Sequence, residues 1–332
     1  MAKFAVRLIT VFSAGLIALT LAAWFFNAWL QEPGPLTTHK TIILPPGLGV
    51  QAIADRLVSA GAIHHPTLFK VAVSIRRGDR FLKAGEYELT PGATPEALID
   101  NLILGKTVVH KITVPEGLSV SQVYDLVTET PTLSGRLDKS FSEGSLLPNT
   151  YHYSRGHNRN ALLQQMETLM KNTLEQLWIE RDPNLPLKTP IEGVILASII
   201  EKETSLPQER ARISAVFINR LRLGMPLQSD PTVVYGMTQG ERPLGRPLKR
   251  KDLRDKDNLY NTYRHLGLPP GPIANPGKAS LVAALSPLET TELYFVADGQ
   301  GGHNFAETLA EHNKNVKLWR KHQKQKLDCG AC

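Results

Sequence analysis

From Leu8 to Leu30 the chain carries no charged residue, and most positions are apolar. At about 1.5 Å per helical residue, such a run crosses the hydrocarbon core of a bilayer. Lys3 and Arg7 precede it, whereas Gln31 and Glu32 follow. The positive-inside rule therefore leaves residues 1–7 as a cytoplasmic tail and carries the rest of the chain across. The run ends in Trp24, Phe25, Phe26 and Trp29, which suit an interfacial belt better than the small residues of a cleavage site do. An uncleaved transmembrane helix over 8–30 is expected, followed by a Pro- and Gly-containing linker over 31–39.

Beyond the linker one pattern occurs three times. Thr41-Ile42-Ile43-Leu44, Tyr87-Glu88-Leu89-Thr90 and Lys111-Ile112-Thr113-Val114 are strand-like. Each is followed by a Pro- and Gly-containing turn and then an amphipathic stretch, at 50–57, 95–102 and 120–127. Thr94 and Ser119 stand where helix caps are needed, with Pro95 at a first helical position. A unit this small cannot bury its apolar face alone, so the copies are expected to pack into a small α+β module. Residues 128–160 read as loop. Helices are expected over 161–179, 191–205 and 208–223, the last stopped by Gly224. Pro- and Gly-rich loops follow, then a strand over 292–297 and helix over 303–326. The fold class is α+β.

The chain has 332 residues, 42% hydrophobic and 21% charged, enough for a real core and about two domains. Its net charge of +7 favours an anionic partner. With the bulk of the chain outside the cytoplasm, nucleic acid is excluded, and an envelope polymer or the membrane surface fits instead. Cys329 and Cys332 form a Cys-x-x-Cys in the terminal tail 327–332, without the strand and helix of a redox motif or the further ligands of a zinc site.

Candidate chemistry concentrates on the helix from Ile191 to Thr204. With about 100° per residue, Ile191, Ile195, Leu196, Ile199 and Ile200 form one apolar arc, and Glu203 falls inside it. Glu201 falls on nearly the opposite side, so the two glutamates are not a catalytic pair. A carboxyl on an apolar face is costly to ionise; its pKa rises, and it can serve as a general acid near neutral pH. The plainer reading is a helix-end glutamate that meets solvent or an arginine such as Arg210 or Arg212. Gln228, Asp230 and Tyr235 lie in one polar loop, and Asn261 and Tyr263 in another. An aromatic ring can stack on a sugar and an amide can bond to its hydroxyls, although each of these residues also suits a turn or a core edge. There is no Gly-x-Ser-x-Gly and no His-Glu-x-x-His, and the ten histidines lack ligand spacing. Acid/base catalysis by a single residue, with neither metal nor cofactor, is expected.

The segment Ala197-Ser198-Ile199-Ile200-Glu201-Lys202-Glu203-Thr204 resembles the catalytic segment of the endolytic murein transglycosylases, the MltG or YceG-like family. So do Val216-Phe217-Ile218-Asn219-Arg220-Leu221, Ser229-Asp230-Pro231-Thr232-Val233-Val234-Tyr235-Gly236, Tyr260-Asn261-Thr262-Tyr263, Gly267-Leu268-Pro269-Pro270-Gly271-Pro272-Ile273 and Tyr294-Phe295-Val296-Ala297-Asp298-Gly299, in family order. The resemblance implies a protein of the inner membrane with a LysM-like module, over 40–107, and a periplasmic catalytic domain, over 108–326. It implies glycan strands of peptidoglycan as substrate, peptidoglycan synthases as neighbours, and Glu203 as the acid/base. One departure is Pro148-Asn149-Thr150-Tyr151, where the family commonly has Pro-Asp-Thr before an aromatic; a carboxylate role there is lost. Two readings compete: a non-catalytic wall-binding scaffold, and a hydrolytic muramidase with a second carboxylate at Asp230 or Glu209.

Overall fold

A computed structural model of the protein describes residues 2–138 and 140–329. It is a mixed α+β structure that opens with an apolar helix, α1 (Ala2–Gln31). Over Lys3–Gln31 this helix is long and apolar enough to cross a membrane. Its last turns enter the first unit. Trp24 and Phe25 are exposed, but Phe26 and Trp29 pack on the hydrophobic core of the first unit, and Leu30 is buried within it.

The chain divides into two compact units: residues up to His110 with His152–Gly156, and Lys111–Tyr151 with the residues from His157 onward. In the first unit, β1 (Lys40–Leu44) leads to α2 (Val50–Ala60) and α3 (Pro66–Ile75), and β2 (Gly85–Leu89) leads to α4 (Pro95–Leu104). Strands β1 and β2 pair antiparallel, Lys40 opposite Leu89 and Leu44 opposite Gly85. Alternation sends Ile42, Leu44, Tyr87 and Leu89 into the core, where the helices contribute Leu57, Phe69 and Ile99. Thr94 caps α4 by accepting the Ala97 N–H, and Gly105 ends it in the left-handed region. Residues 32–39 form no helix or strand. They are nonetheless strapped down: Gly34 N–H donates to the Ala93 carbonyl, and the Leu36 carbonyl accepts the Gly92 N–H.

Only two of the three strand–turn–helix copies build this unit. The third strand, β3 (Val109–Thr113), forms a separate ladder with β4 (Thr150–Ser154), a strand inside the stretch expected to be loop. Its helix, α5 (Val120–Glu129), belongs to the second unit and opens with a capping box, Ser119 and Gln122 each bonding the other's backbone N–H.

The second unit is arranged around α7 (Pro190–Glu203). Every residue of α7 from Gly193 to Ile200 is buried. Around it pack α6 (Arg159–Ile179), α8 (Arg210–Arg222), α9 (Asp230–Thr238) and α10 (Lys278–Leu285). Ser198 fastens α7 to the Pro-rich loop: its hydroxyl donates to the Ile195 carbonyl at 2.7 Å and accepts the Ile273 N–H at 3.0 Å. The chain closes with the hairpin β5 (Tyr294–Ala297) and β6 (His303–Ala306), then α11 (Leu309–Cys329). Helix was expected from 303 onward. Instead Gly299 and Gly301, both at positive φ, let the chain turn back and pair His303 with Ala297. Cys332, and with it the Cys-x-x-Cys pairing, lies outside the described residues.

The strap at Gly34 gives a stability test. A Cβ there would sit 2.6 Å from the backbone carbonyl oxygens of both Ala62 and Ala93, neither of which can swing aside. Gly34→Ala should destabilise the first unit by about 1–3 kcal/mol. The expected readout is faster hydrogen exchange at the β1–β2 amides; unchanged protection would show that the strap yields without cost.

Candidate active site

Helix α7 ends at Glu203, and Thr204 leaves it in an extended conformation. The Glu203 Oε1 accepts a 2.5 Å hydrogen bond from the Ser229 hydroxyl. Ser229 is held on both sides of its own peptide unit. Its N–H donates to the Thr262 hydroxyl at 3.0 Å, and its carbonyl accepts the Thr232 hydroxyl at 2.7 Å. Gln228, just before it, has φ +54 and donates its N–H to the Thr262 carbonyl. A glutamine in the left-handed region is uncommon and costs free energy, so the surrounding bonds must hold it there.

The sequence-predicted residues fall into three groups. Asp230 lies next to the acid's partner and receives the Tyr263 hydroxyl at 2.6 Å, and Gln228 is exposed beside Ser229. Tyr235 lies farther along α9, donating to Glu143 at 3.3 Å, its ring tilted against Tyr260 at 4.9 Å. Asn261 is fully buried. Its amide donates to the Asp252 and Asp255 carbonyls and accepts the Tyr263 N–H, so it braces the loop that carries Thr262 and Tyr263.

Burial pushes the Glu203 carboxyl up to about 7. The Ser229 hydrogen bond works against that rise, the Asp230 charge adds to it, and His303 and Arg220 oppose it. The residue keeps partial solvent access. Position at the C-terminal end of α7 also disfavours an anion. Arg220 is buried and pulled below its ordinary value by that burial, yet its Nε and Nη1 donate to the Leu293 and Leu227 carbonyls, not to a carboxylate. Its charge is therefore available to steady Glu203 once the proton has left.

Glu201 differs in its compensation rather than in its exposure. Its side chain is only 5% exposed, where the helical wheel had set it away from the apolar arc. From Gly193 to Ile200 every side of α7 is covered, so position on the wheel does not set burial there. Glu201 instead meets Arg210 at 3.3 Å and accepts the Gly277 N–H at 3.0 Å. Glu209, a candidate second carboxylate, accepts both the backbone N–H of His303 and a bond with its Nδ1 at 2.7 Å, as well as the Thr204 hydroxyl. Ser229, Arg220 and His303 were not selected from sequence, because each reaches Glu203 only through tertiary contact.

A cleft of about 500 Å³ meets this cluster at Asp230 and is lined also by Lys202 and Tyr235, while Glu203 and Ser229 lie off its lining. The sequence profile of the YceG-like family matches residues 42–318. The chain belongs to the YceG-like family. It is 32% identical over 329 residues to the endolytic murein transglycosylase of Bacillus subtilis (strain 168), with 88% of each chain covered. It is 28% identical over 326 residues to the endolytic murein transglycosylase of Streptococcus pneumoniae serotype 2 (strain D39), covering 84% of this chain and 58% of that protein. A crystal structure of a YceG-like protein from Listeria monocytogenes aligns with a TM-score of 0.50 at 29% identity, over 83% of this chain and 98% of that one.

The displaced carboxyl makes folding stability pH-dependent. With a folded pKa of about 7 against an ordinary 4.5, the native state holds this proton more tightly than the unfolded chain does. Stability from this group is complete below about pH 4.5 and lost as pH rises through 7, a loss on the order of 3 kcal/mol. Glu203→Gln, which cannot ionise, should melt above the parent at pH 8 and with it at pH 4. A variant that tracks the parent at both pH values would mean the carboxyl is not displaced.

Proposed function

We propose that this protein is a membrane-anchored lytic transglycosylase that cuts peptidoglycan glycan strands within the chain, with Glu203 as its single acid/base. The observation that carries the reading is a carboxyl held protonated near neutrality at the end of a buried helix, in a family whose relatives are named endolytic murein transglycosylases. Neutral Glu203 donates its proton to the oxygen that joins the N-acetylmuramic acid C1 to the next N-acetylglucosamine. The C1–O bond breaks, and positive charge develops at C1 and its ring oxygen. The carboxylate left behind is steadied by the Ser229 hydroxyl, Arg220 and His303. It then takes the proton of the same sugar's C6 hydroxyl, whose oxygen closes on C1. A 1,6-anhydro end results, and no water is consumed. The nucleophile is intramolecular, which replaces the second carboxylate that a hydrolase needs.

In the same reading α1 is a single-pass inner-membrane anchor with its N-terminus in the cytoplasm. Residues 40–107 act as a LysM-like glycan-binding module and 108–326 as the periplasmic catalytic domain, working on nascent strands near the synthases that make them. The Asp230 carboxylate, beside the acid, is suited to oppose charge developing at C1, and Tyr263 holds it. The engagement of both Glu209 oxygens and of Asp230 Oδ1 by protein donors favours this route over hydrolysis.

Mass spectrometry of glycan digested by the intact protein should find new ends lighter by one water and inert to borohydride; reducing ends would establish a hydrolase. Glu203→Gln should lower the cleavage rate by at least about 100-fold, the scale of a lost general acid. Ser229→Ala removes a donor that favours the carboxylate, so the Glu203 pKa should climb and the basic limb of the kcat/KM profile should move to higher pH. A lower rate with an unmoved limb would limit Ser229 to a packing role.

A further inference from the structure

The cleft that meets the Glu203 cluster at Asp230 has a composition that a neutral sugar chain does not call for. Apolar surface from Val234, Tyr235, Leu248 and Ile273 makes one wall, and two exposed cations, Lys202 and Arg242, line it as well. Lys202 is the residue before the acid, and its Nζ donates to the Gly117 carbonyl at 3.2 Å. Among the described residues neither cation has a carboxylate within 4.0 Å. The negative groups near the cleft are Asp230 on its lining, bonded to Tyr263; Glu143 behind it, engaged by the Val120 N–H and the Tyr235 hydroxyl and attracted by the Lys202 charge; and exposed Glu241, the residue before Arg242. The loop that supplies Arg242 continues with exposed Lys249, Arg250 and Lys251, whereas its Arg246 is neutralised by Asp252 at 2.7 Å. On the lining itself two cations, Lys202 and Arg242, face one carboxylate, Asp230, which is already bonded to Tyr263.

We propose that this cleft receives the acidic stem peptide of the muramyl residue whose glycosidic bond Glu203 breaks, with Arg242 and Lys202 meeting its carboxylates. The inference rests on the transglycosylase reading. A stem peptide leaves the muramyl lactyl group within a few bonds of the scissile C1. It presents free carboxylates spaced along short aliphatic side chains, and charge and apolar surface in the cleft match both features. The Gln122 side chain on the lining, whose oxygen already accepts the Ser119 N–H, can offer its amide N–H groups to peptide carbonyls.

The test uses the full-length protein and three preparations of uncross-linked glycan: strands that bear peptides, the same strands stripped by an amidase, and peptide-bearing strands with their carboxylates converted to amides. The parent should cleave the peptide-bearing strands with a kcat/KM about 5-fold above the other two, the scale of a solvent-facing charge pair. Arg242→Gln, an exposed substitution with no hydrogen bond to lose among the described residues, should erase most of that preference and leave the rate on stripped strands unchanged. Arg242→Glu should reverse it. Equal parent rates on all three substrates would overturn the subsite. So would an Arg242→Gln loss of the same size on stripped and peptide-bearing strands, which would assign the cleft to sugars. Anhydro ends formed at equal rates from all preparations overturn the subsite alone, whereas no anhydro ends from any of them overturns the transglycosylase reading and the subsite with it.

Discussion

The site depends on where one helix stops. Helix α7 is covered on all sides from Gly193 to Ile200, so its path is fixed by packing rather than by its caps, and its last residue emerges with little freedom. An acid mounted there gains precise position from the most confined element of the unit. It also inherits that element's low polarity, which is what keeps it neutral. Orientation and proton affinity thus share one cause.

Two glutamates on that helix end show how burial alone does not define an acid. Glu201 is as deeply sheltered, but it has a guanidinium and a backbone N–H as partners, and its charge is compensated. Glu203 has one hydroxyl, with the Arg220 guanidinium working at longer range. An ionised carboxylate needs either water or two or three donors. Glu201 has the donors; Glu203 has one, on Oε1, too few to favour its charge.

The sequence made the long periodic elements readable, because their burial pattern is local. Helices over 161–179, 191–205 and 208–223, the caps at Thr94 and Ser119, and the strands at 41–44 and 292–297, the last observed as Tyr294–Ala297, all rest on neighbours within a turn or two. Helix α9 was read as loop, although Ser229-Asp230-Pro231 is a helix opening: a serine at the cap, an acid in the first turn and a proline at a position that needs no N–H. Strands β4 and β6 find their partners far along the chain or across a glycine turn, which no short window contains. The same limit hid Ser229, 26 residues from the carboxyl it binds. The wheel sets Glu201 apart from Glu203, and their partners differ, Arg210 and the Gly277 N–H for one and Ser229 for the other.

The way α1 enters the first unit has a practical corollary. Leu30 is a core residue of that unit, Phe26 and Trp29 lie against the same apolar cluster, and Gln31 reaches the Glu96 carboxylate on α4. The helix end is therefore a plug seated in a socket, not a leash. A version of the protein trimmed just past residue 30 to make it water-soluble would leave that socket open, and the exposed lining would invite self-association. A trim made one helical turn earlier than Phe26 keeps the plug and should be the better-behaved reagent.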